Sequence, residues 1–185
     1  MAMPSPSVIA LLPILLFSFF FHSSSTLSLV IIKVSEKQIN SICKQTMNYD
    51  FCKTTLDRHS RTHKANMNEL GIITLLAAIA QARVNKYVVN ELFQKEIEPI
   101  MMDRLANCFI DYTVTLGKLQ GAYRLSYEKD YKSMIQLVND AMKMSTKCEN
   151  RFRKPPIRTS PITHYNQKMV WFTDMASVVL EMLDN

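Results

Sequence analysis

Apolar residues recur along most of the chain at steps of three and four, the period of one face of an α-helix, and no alternating strand pattern competes with it. Ser35 with Gln38 makes a capping box, so a first helix is expected from there to about Gln45, with Ile39, Ile42 and Cys43 on one side. A short second helix is expected over Asp50 to Asp57, and the polar, basic stretch Arg58 to Ala65 as a connecting loop. The longest uninterrupted pattern runs from Asn66 to Ile97, with Leu70, Ile73, Ala77, Ala80, Val84 and Tyr87 along one stripe. Pro99 breaks the chain or opens the next helix, where its missing N–H does no harm. Leu105, Phe109, Tyr112, Leu116, Leu119 and Tyr123 form that helix's stripe. After a polar break at Glu128 to Asp130, a third long helix carries Tyr131, Met134, Val138, Ala141, Ser145, Cys148 and Phe152 inward. Pro155, Pro156 and Pro161 stop it, and Arg151, Arg153, Lys154 and Arg158 predict a basic, self-repelling, extended linker from Arg151 to Pro161. The last helix is expected from about Ile162 to Leu183, with Met169, Phe172, Ala176, Val179 and Leu183 inward.

Four long stripes joined by short breaks predict an all-α fold, because short connections make successive helices antiparallel neighbours. The expected architecture is an up-down-up-down four-helix bundle over residues 66–185, preceded by a disulfide-stapled helical hairpin and loop over 29–65. Only three glycines in 185 residues agree with a mostly helical chain.

No Lys, Arg, Asp or Glu occurs before Lys33, and Val8 to Phe21 is nearly all apolar. That run is too short for a membrane span, and small residues from Ser23 to Ser28 follow it. Residues 1–28 therefore read as a secretory signal, although the usual basic n-region is missing; an uncleaved anchor is the competing reading. About 157 residues remain, enough for one domain with its own core. With no second apolar run near ~20 residues, no membrane association is expected after cleavage. The formal charge of +6, from 22 basic and 16 acidic residues, falls wholly in the mature part.

Secretion changes the reading of the cysteines. In an oxidising compartment four cysteines form two disulfides sooner than a metal site. Three pairings are possible; Cys43 with Cys52 and Cys108 with Cys148 is the expected one, since each pair is brought together by a helical reversal. Asn48 and Asp50 supply the turn chemistry for the first.

No catalytic constellation emerges. His59 and His63 stand four apart without an HExxH pattern or an evident third ligand. Gly117 and Gly121 suggest close helix packing, and His164 has no partner that sequence can name. Asp103, Asp111 and Asp140 read as solvated surface carboxylates. Met134, Met142, Met144, Met169, Met175 and Met182 fall mostly on helical faces and read as core filling rather than a copper site. No Gly-rich loop precedes Lys and Ser/Thr, so no nucleotide is implied, and no metal or other cofactor is expected. The basic linker around Arg153 and Lys154 could meet an acidic polymer or protein surface, but nucleic acid is not an expected partner. No Asn-X-Ser/Thr sequon occurs.

These residues together resemble the plant invertase and pectin methylesterase inhibitor family. The resemblance rests on Ile42-Cys43 with Thr46, on Tyr49-Asp50-Phe51-Cys52 with Leu56, and on Asn107-Cys108 with Tyr112 and Leu116. It continues through Asp130-Tyr131, Asp140-Ala141-Met142 and Cys148-Glu149-Asn150-Arg151-Phe152. Asn48 to Cys52 and Leu70-Gly71-Ile72 look most like the pollen-allergen-type invertase inhibitors. The resemblance implies a bundle with an N-terminal hairpin, two disulfides, and secretion to the cell wall or apoplast, or to a vacuole. It implies no catalysis: members occlude the active-site cleft of a pectin methylesterase or an acid invertase in a one-to-one complex. Invertase-directed members often carry Pro-Lys-Phe before the third bundle helix, where this chain reads Asp130-Tyr131-Lys132-Ser133. Lys129, Asp130, Tyr131 and Lys132 at that bundle end are the candidate contacts with the enzyme. The alternative is a secreted binding or signalling module that keeps the scaffold without inhibition; a small hydrolase would have to rest on His59, His63 and His164.

Overall fold

A computed structural model describes residues 32–185; the expected signal segment lies outside them. The elements in order are α1 (Glu36–Cys43), α2 (Tyr49–Arg58), a single 3-10 turn (Thr62–Lys64), α3 (Met67–Lys95), α4 (Pro99–Leu125), α5 (Tyr131–Phe152) and α6 (Thr163–Asp184). No strand occurs among the described residues.

Five helices begin on a side chain that accepts an otherwise unpaired N–H. Ser35 caps α1 with Gln38 reciprocating, and Asn66 caps α3 with Glu69 reciprocating. Asn48 caps α2, Glu98 caps α4 ahead of Pro99, and Asp130 caps α5. These caps fix where each helix starts, so the breaks stay short. α3 packs on α4, α4 on α5, α5 on α6 and α6 back on α3, which closes the four-helix bundle. α1 and α2 lean on α6.

Two apolar clusters result. The larger fills the bundle and contains Leu75, Leu105, Tyr112, Leu119, Met134, Val138, Phe152 and Met169. The smaller lies under the hairpin, where Ile39, Ile42 and Leu56 meet Leu70, Met175 and Val179. α6 serves both clusters, and every residue from Thr173 to Leu180 is buried as a consequence. A periodic stripe alone could not show this, because a helix covered from two sides has no solvent-facing side in the covered part, and polar Thr173, Asp174 and Ser177 are buried there with the apolar residues.

Several sequence expectations need correction. On α3 Leu70 and Ile73 are buried as the stripe predicts, but the other inward positions are Gly71, Thr74, Leu75, Ala78, Ile79, Ala82, Asn85 and Val89, whereas Ala80, Val84 and Tyr87 face solvent. Between Leu70 and Val89 this helix holds only Arg83 and Lys86 as charges, so apolarity does not mark its buried side. α3 is also long and apolar enough to cross a bilayer, against the expectation of no second such run; its inward side is bundle core. Gly117 has open space where a Cβ would sit and serves no close packing, while a Cβ on Gly121 would meet Leu137 Cδ1 at 3.2 Å.

The linker after α5 is tied down rather than repelled. Arg104 on α4 is buried and donates to the carbonyls of Lys154 (2.9 Å) and Pro156 (2.6 Å), holding the chain where the prolines end the helix. Arg158 pairs with Glu98 at 3.2 Å, and Arg151 remains on α5 and pairs with Asp111.

Candidate functional site

The disulfides set the frame. Cys43 and Cys52, nine positions apart, are bonded across the reversal between α1 and α2, and Cys108 bonds Cys148 across α4 and α5, forty positions apart. All four cysteines are fully buried, and no free cysteine occurs among the described residues. In the chain-entropy picture each closed loop removes unfolded-state freedom, about 2.5–4 kcal/mol for loops of these lengths.

Beside the second staple lies a carboxylate that sequence reasoning put on the surface. Asp111 is 2% exposed; one oxygen accepts from Arg151 Nε (2.9 Å) and the other is ion-paired with Lys147 Nζ (3.1 Å), both on α5. Burying a charge is tolerated only where it is paired, and here two cations share it. The signal was present in the sequence, because Lys147 and Arg151 stand four apart on one face of α5. Asp140 is half-buried between Lys118 (3.0 Å) and Lys143 (3.2 Å), whose hydrogen bonds hold its carboxyl below the usual range.

A buried polar chain crosses the whole bundle. Gln81 donates to Asn85 Oδ1 (2.6 Å); Asn85 Nδ2 donates to the Tyr112 hydroxyl (2.8 Å) and to the Tyr165 carbonyl (2.9 Å). The Tyr112 hydroxyl donates to Asn166 Oδ1, and Asn166 Nδ2 donates to Glu149 (2.6 Å). Glu149 also accepts from Ser160 and Thr163. Burial drives the Tyr112 phenol far above its ordinary value, so it stays protonated and donates. The chain joins α3, α4, α6 and α5, and it contains no nucleophile with a base.

The four candidate contacts sit at the α4–α5 turn. Lys129 and Lys132 are exposed, and Lys129 has φ 56°, the left-handed region. Asp130 is occupied as the α5 cap, and hydrogen bonding from Ser133 lowers its pKa. Tyr131 is half-buried; its hydroxyl donates to Asn68 of α3, and partial burial raises its pKa. Tyr127, 76% exposed, stacks edge-on against Tyr123. A cavity of about 150 Å³ opens here between Asn68, Ile72, Lys129, Tyr131 and Leu183. The structure thus brings this turn beside the start of α3 and the end of α6, and divides the four residues into two solvent-facing lysines and two side chains that set the turn.

Of the histidines, His164 is exposed, with its ring against that of Tyr165. His63 does gain neighbours, since Glu36 and Asp57 converge with it. All three are exposed, however, and Lys53 already lies between the two carboxylates, 2.7 Å from Asp57. Asp57 first, and then Glu36, raise the Lys53 pKa, so an ammonium takes the place a cation would need.

The family model for plant invertase/pectin methylesterase inhibitors matches residues 37–182. The chain belongs to that family. Among its relatives, a protein of Platanus orientalis named "Putative invertase inhibitor" is 26% identical over 89% of this chain and 94% of its own. Pectinesterase inhibitor 5 of Arabidopsis thaliana is 22% identical over 81% of this chain and 85% of its own. The fold matches a crystal structure of a mutant form of a pectin methylesterase inhibitor from Arabidopsis. The TM-score is 0.70 at 20% identity, covering 78% of this chain and 96% of the other. A crystal structure of a pectin methylesterase inhibitor from Arabidopsis thaliana also matches, with a TM-score of 0.60 at 19% identity, over 81% of this chain and 98% of the other. Relatives and structural neighbours alike are inhibitor proteins and not catalysts, and this chain is no enzyme.

Proposed function

We propose that the protein is a secreted inhibitor that seats one end of its bundle over the active-site cleft of a pectin methylesterase or an acid invertase, one inhibitor to one enzyme. The observation that carries this reading is the inhibitor-family match across α1 to α6. The physical requirement for occlusion is a rigid body, since a surface that must order itself on binding loses affinity in doing so. Two staples, a shared buried carboxylate and a bundle-crossing polar chain meet that requirement. The docking edge is the α4–α5 turn, where Lys129 and Lys132 reach solvent beside Tyr127 while Asp130 and Tyr131 hold the turn. Basic rim groups of this kind speed encounter with an acidic cleft more than they deepen affinity.

The experiment is a paired titration of the oxidised secreted protein against an acid invertase and a pectin methylesterase over about pH 4 to 7, the range in which carboxylates and histidines titrate, with the reduced protein as control. Saturable loss of one activity at equimolar inhibitor identifies the target, and Lys129→Glu with Lys132→Glu should weaken it. Loss of neither activity, with helical circular dichroism and both disulfides intact, overturns the reading and leaves a non-inhibitory binding module on the same scaffold.

A further inference from the structure

On α5, away from the α4–α5 turn, a groove of about 410 Å³ is lined by Met142, Lys143, Lys147, Arg151 and Lys154. Lys143, Lys147 and Arg151 stand at steps of four, about 6 Å apart along the helix, so this row spans roughly 12 Å, and Lys154 follows just past the helix end. We propose that this row binds a linear polyuronate, a sugar chain bearing a free carboxylate on each residue. The choice of a wall polysaccharide rests on the cell-wall reading above.

The geometry carries the proposal in three ways. Asp111 takes the Nε of Arg151, and among the described residues no hydrogen bond engages its two terminal nitrogens, which leaves that edge of the planar fork for a second, bidentate carboxylate. Lys143 and Lys147, 72% and 55% exposed, lean on Asp140 and Asp111 and keep donors free for a ligand. Each ammonium has three N–H groups, and each pair uses one. The floor is apolar, because Met142 and the lysine stems cover it, and it suits the faces of sugar rings.

Facing the row from α4 are Lys118 and Asp111, with Asp103 about two turns earlier on the Asp111 face, and on α5 itself Asp140 lies between Lys118 and Lys143. Glu149 points elsewhere, toward Ser160, Thr163 and Asn166. Cations remain in excess. They follow one another along the helix at steps of four, which fits charges repeating along a stiff chain better than a single phosphate.

The test is calorimetric titration of the oxidised secreted protein with a fully de-esterified oligogalacturonate, with its methyl-esterified counterpart and with polyglutamate. Saturable binding to the de-esterified sugar alone is expected, lost as ionic strength approaches about 1 M. The double variant Lys143→Gln, Lys147→Gln should weaken binding at least about tenfold with unchanged helical dichroism, and Arg151→Lys should weaken it although the charge is kept. Equal binding of the esterified chain, equal binding of polyglutamate, or a double variant that binds as the parent does would each overturn the proposal. The same double variant should still inhibit the target enzyme. A protein that binds the oligogalacturonate yet inhibits neither enzyme would sink the inhibitor reading and leave this one standing.

Discussion

Removing one hydroxyl, Tyr112→Phe, tests whether the polar chain through the bundle holds it rigid. Tyr112 is fully buried, and its hydroxyl both accepts from Asn85 Nδ2 and donates to Asn166 Oδ1. The ring and its apolar contacts survive the substitution, so the change isolates two hydrogen bonds. Asn85 keeps its bond to the Tyr165 carbonyl but is left with one unpaired N–H, and Asn166 is left with an unpaired carbonyl oxygen. A buried donor or acceptor stripped of its partner costs about 1–3 kcal/mol, so the pair should cost about 2–4 kcal/mol once some relaxation is allowed. At about 2–4 °C per kcal/mol for a domain of this size, the melting temperature should fall by about 4–16 °C.

The assay is urea unfolding of the oxidised protein followed by far-ultraviolet dichroism, with Tyr123→Phe as control. Tyr123 also carries a hydroxyl bond, to Tyr127, but both residues reach solvent, and that control should stay within about 0.5 kcal/mol of the parent. A double-mutant cycle with Asn166→Ala should give a coupling energy of at least about 1 kcal/mol if the chain acts as a unit. A Tyr112→Phe protein within about 0.5 kcal/mol of the parent, or no coupling to Asn166, would refute the claim that this network sets the bundle's rigidity.

Gly117→Ala should stabilise by about 0.5–1 kcal/mol in thermal unfolding, because a helical Cβ there meets open space and the unfolded chain loses freedom. Breaking the Cys108–Cys148 bond should cost about 1 kcal/mol more than breaking Cys43–Cys52, since it closes the longer loop; single serine variants compared in urea decide it. Leu75→Ala should cost about 2–5 kcal/mol while Val84→Ser stays within about 0.5, and reversed losses would restore the stripe that periodicity alone suggests. Asp174, which accepts the Met47 N–H at 2.7 Å, has a pKa raised by burial and then by the nearby Glu181. A raised carboxyl pKa makes the folded state bind the proton more readily, so the penalty is present at neutral pH and fades as pH falls through the folded pKa. Asp174→Asn should therefore be the more stable protein at neutral pH, with its advantage shrinking on acidification, as parallel melts across pH would show.

The legibility of the fold in the sequence varied with how many sides of a helix are covered. On α5 the positions Met134, Val138, Ala141, Ser145, Cys148 and Phe152 are all buried, as the stripe predicts, because the opposite face meets only water and is charged accordingly. The capping residues Ser35 and Asp130 and the helix-opening Pro99 fix helix starts locally, and local chemistry is what a sequence displays most directly. α3 resisted the same treatment. Its inward side includes Thr74 and Asn85, which are polar, while Leu76, Val84 and Tyr87 are exposed, so the contrast on which periodicity depends is absent.

The reading of Asp111 as a surface carboxylate fails for a related reason, and two other buried polar residues share it. Arg104, Asp111 and Asn85 each look like surface residues one at a time, and each is buried only because a group distant in the chain satisfies it: the Lys154 and Pro156 carbonyls, the Lys147 and Arg151 cations, the Tyr112 hydroxyl. Such pairs cost stability if either member is missing and add little over apolar packing when complete. What they do provide is selectivity among arrangements. A bundle of Leu, Ile, Val and Met can slide or rotate its helices at small cost, whereas α4 displaced by one turn against α5 would strand Asp111 and Arg104 together. The register of α4 on α5 is therefore held by the Cys108–Cys148 bond together with Asp111 and Arg104, while Tyr112 ties α4 to α3 and α6. That shared lock fixes the α4–α5 turn at one end of α5 and the cation row at the other, so the two surfaces proposed for binding are parts of a single rigid helix pair.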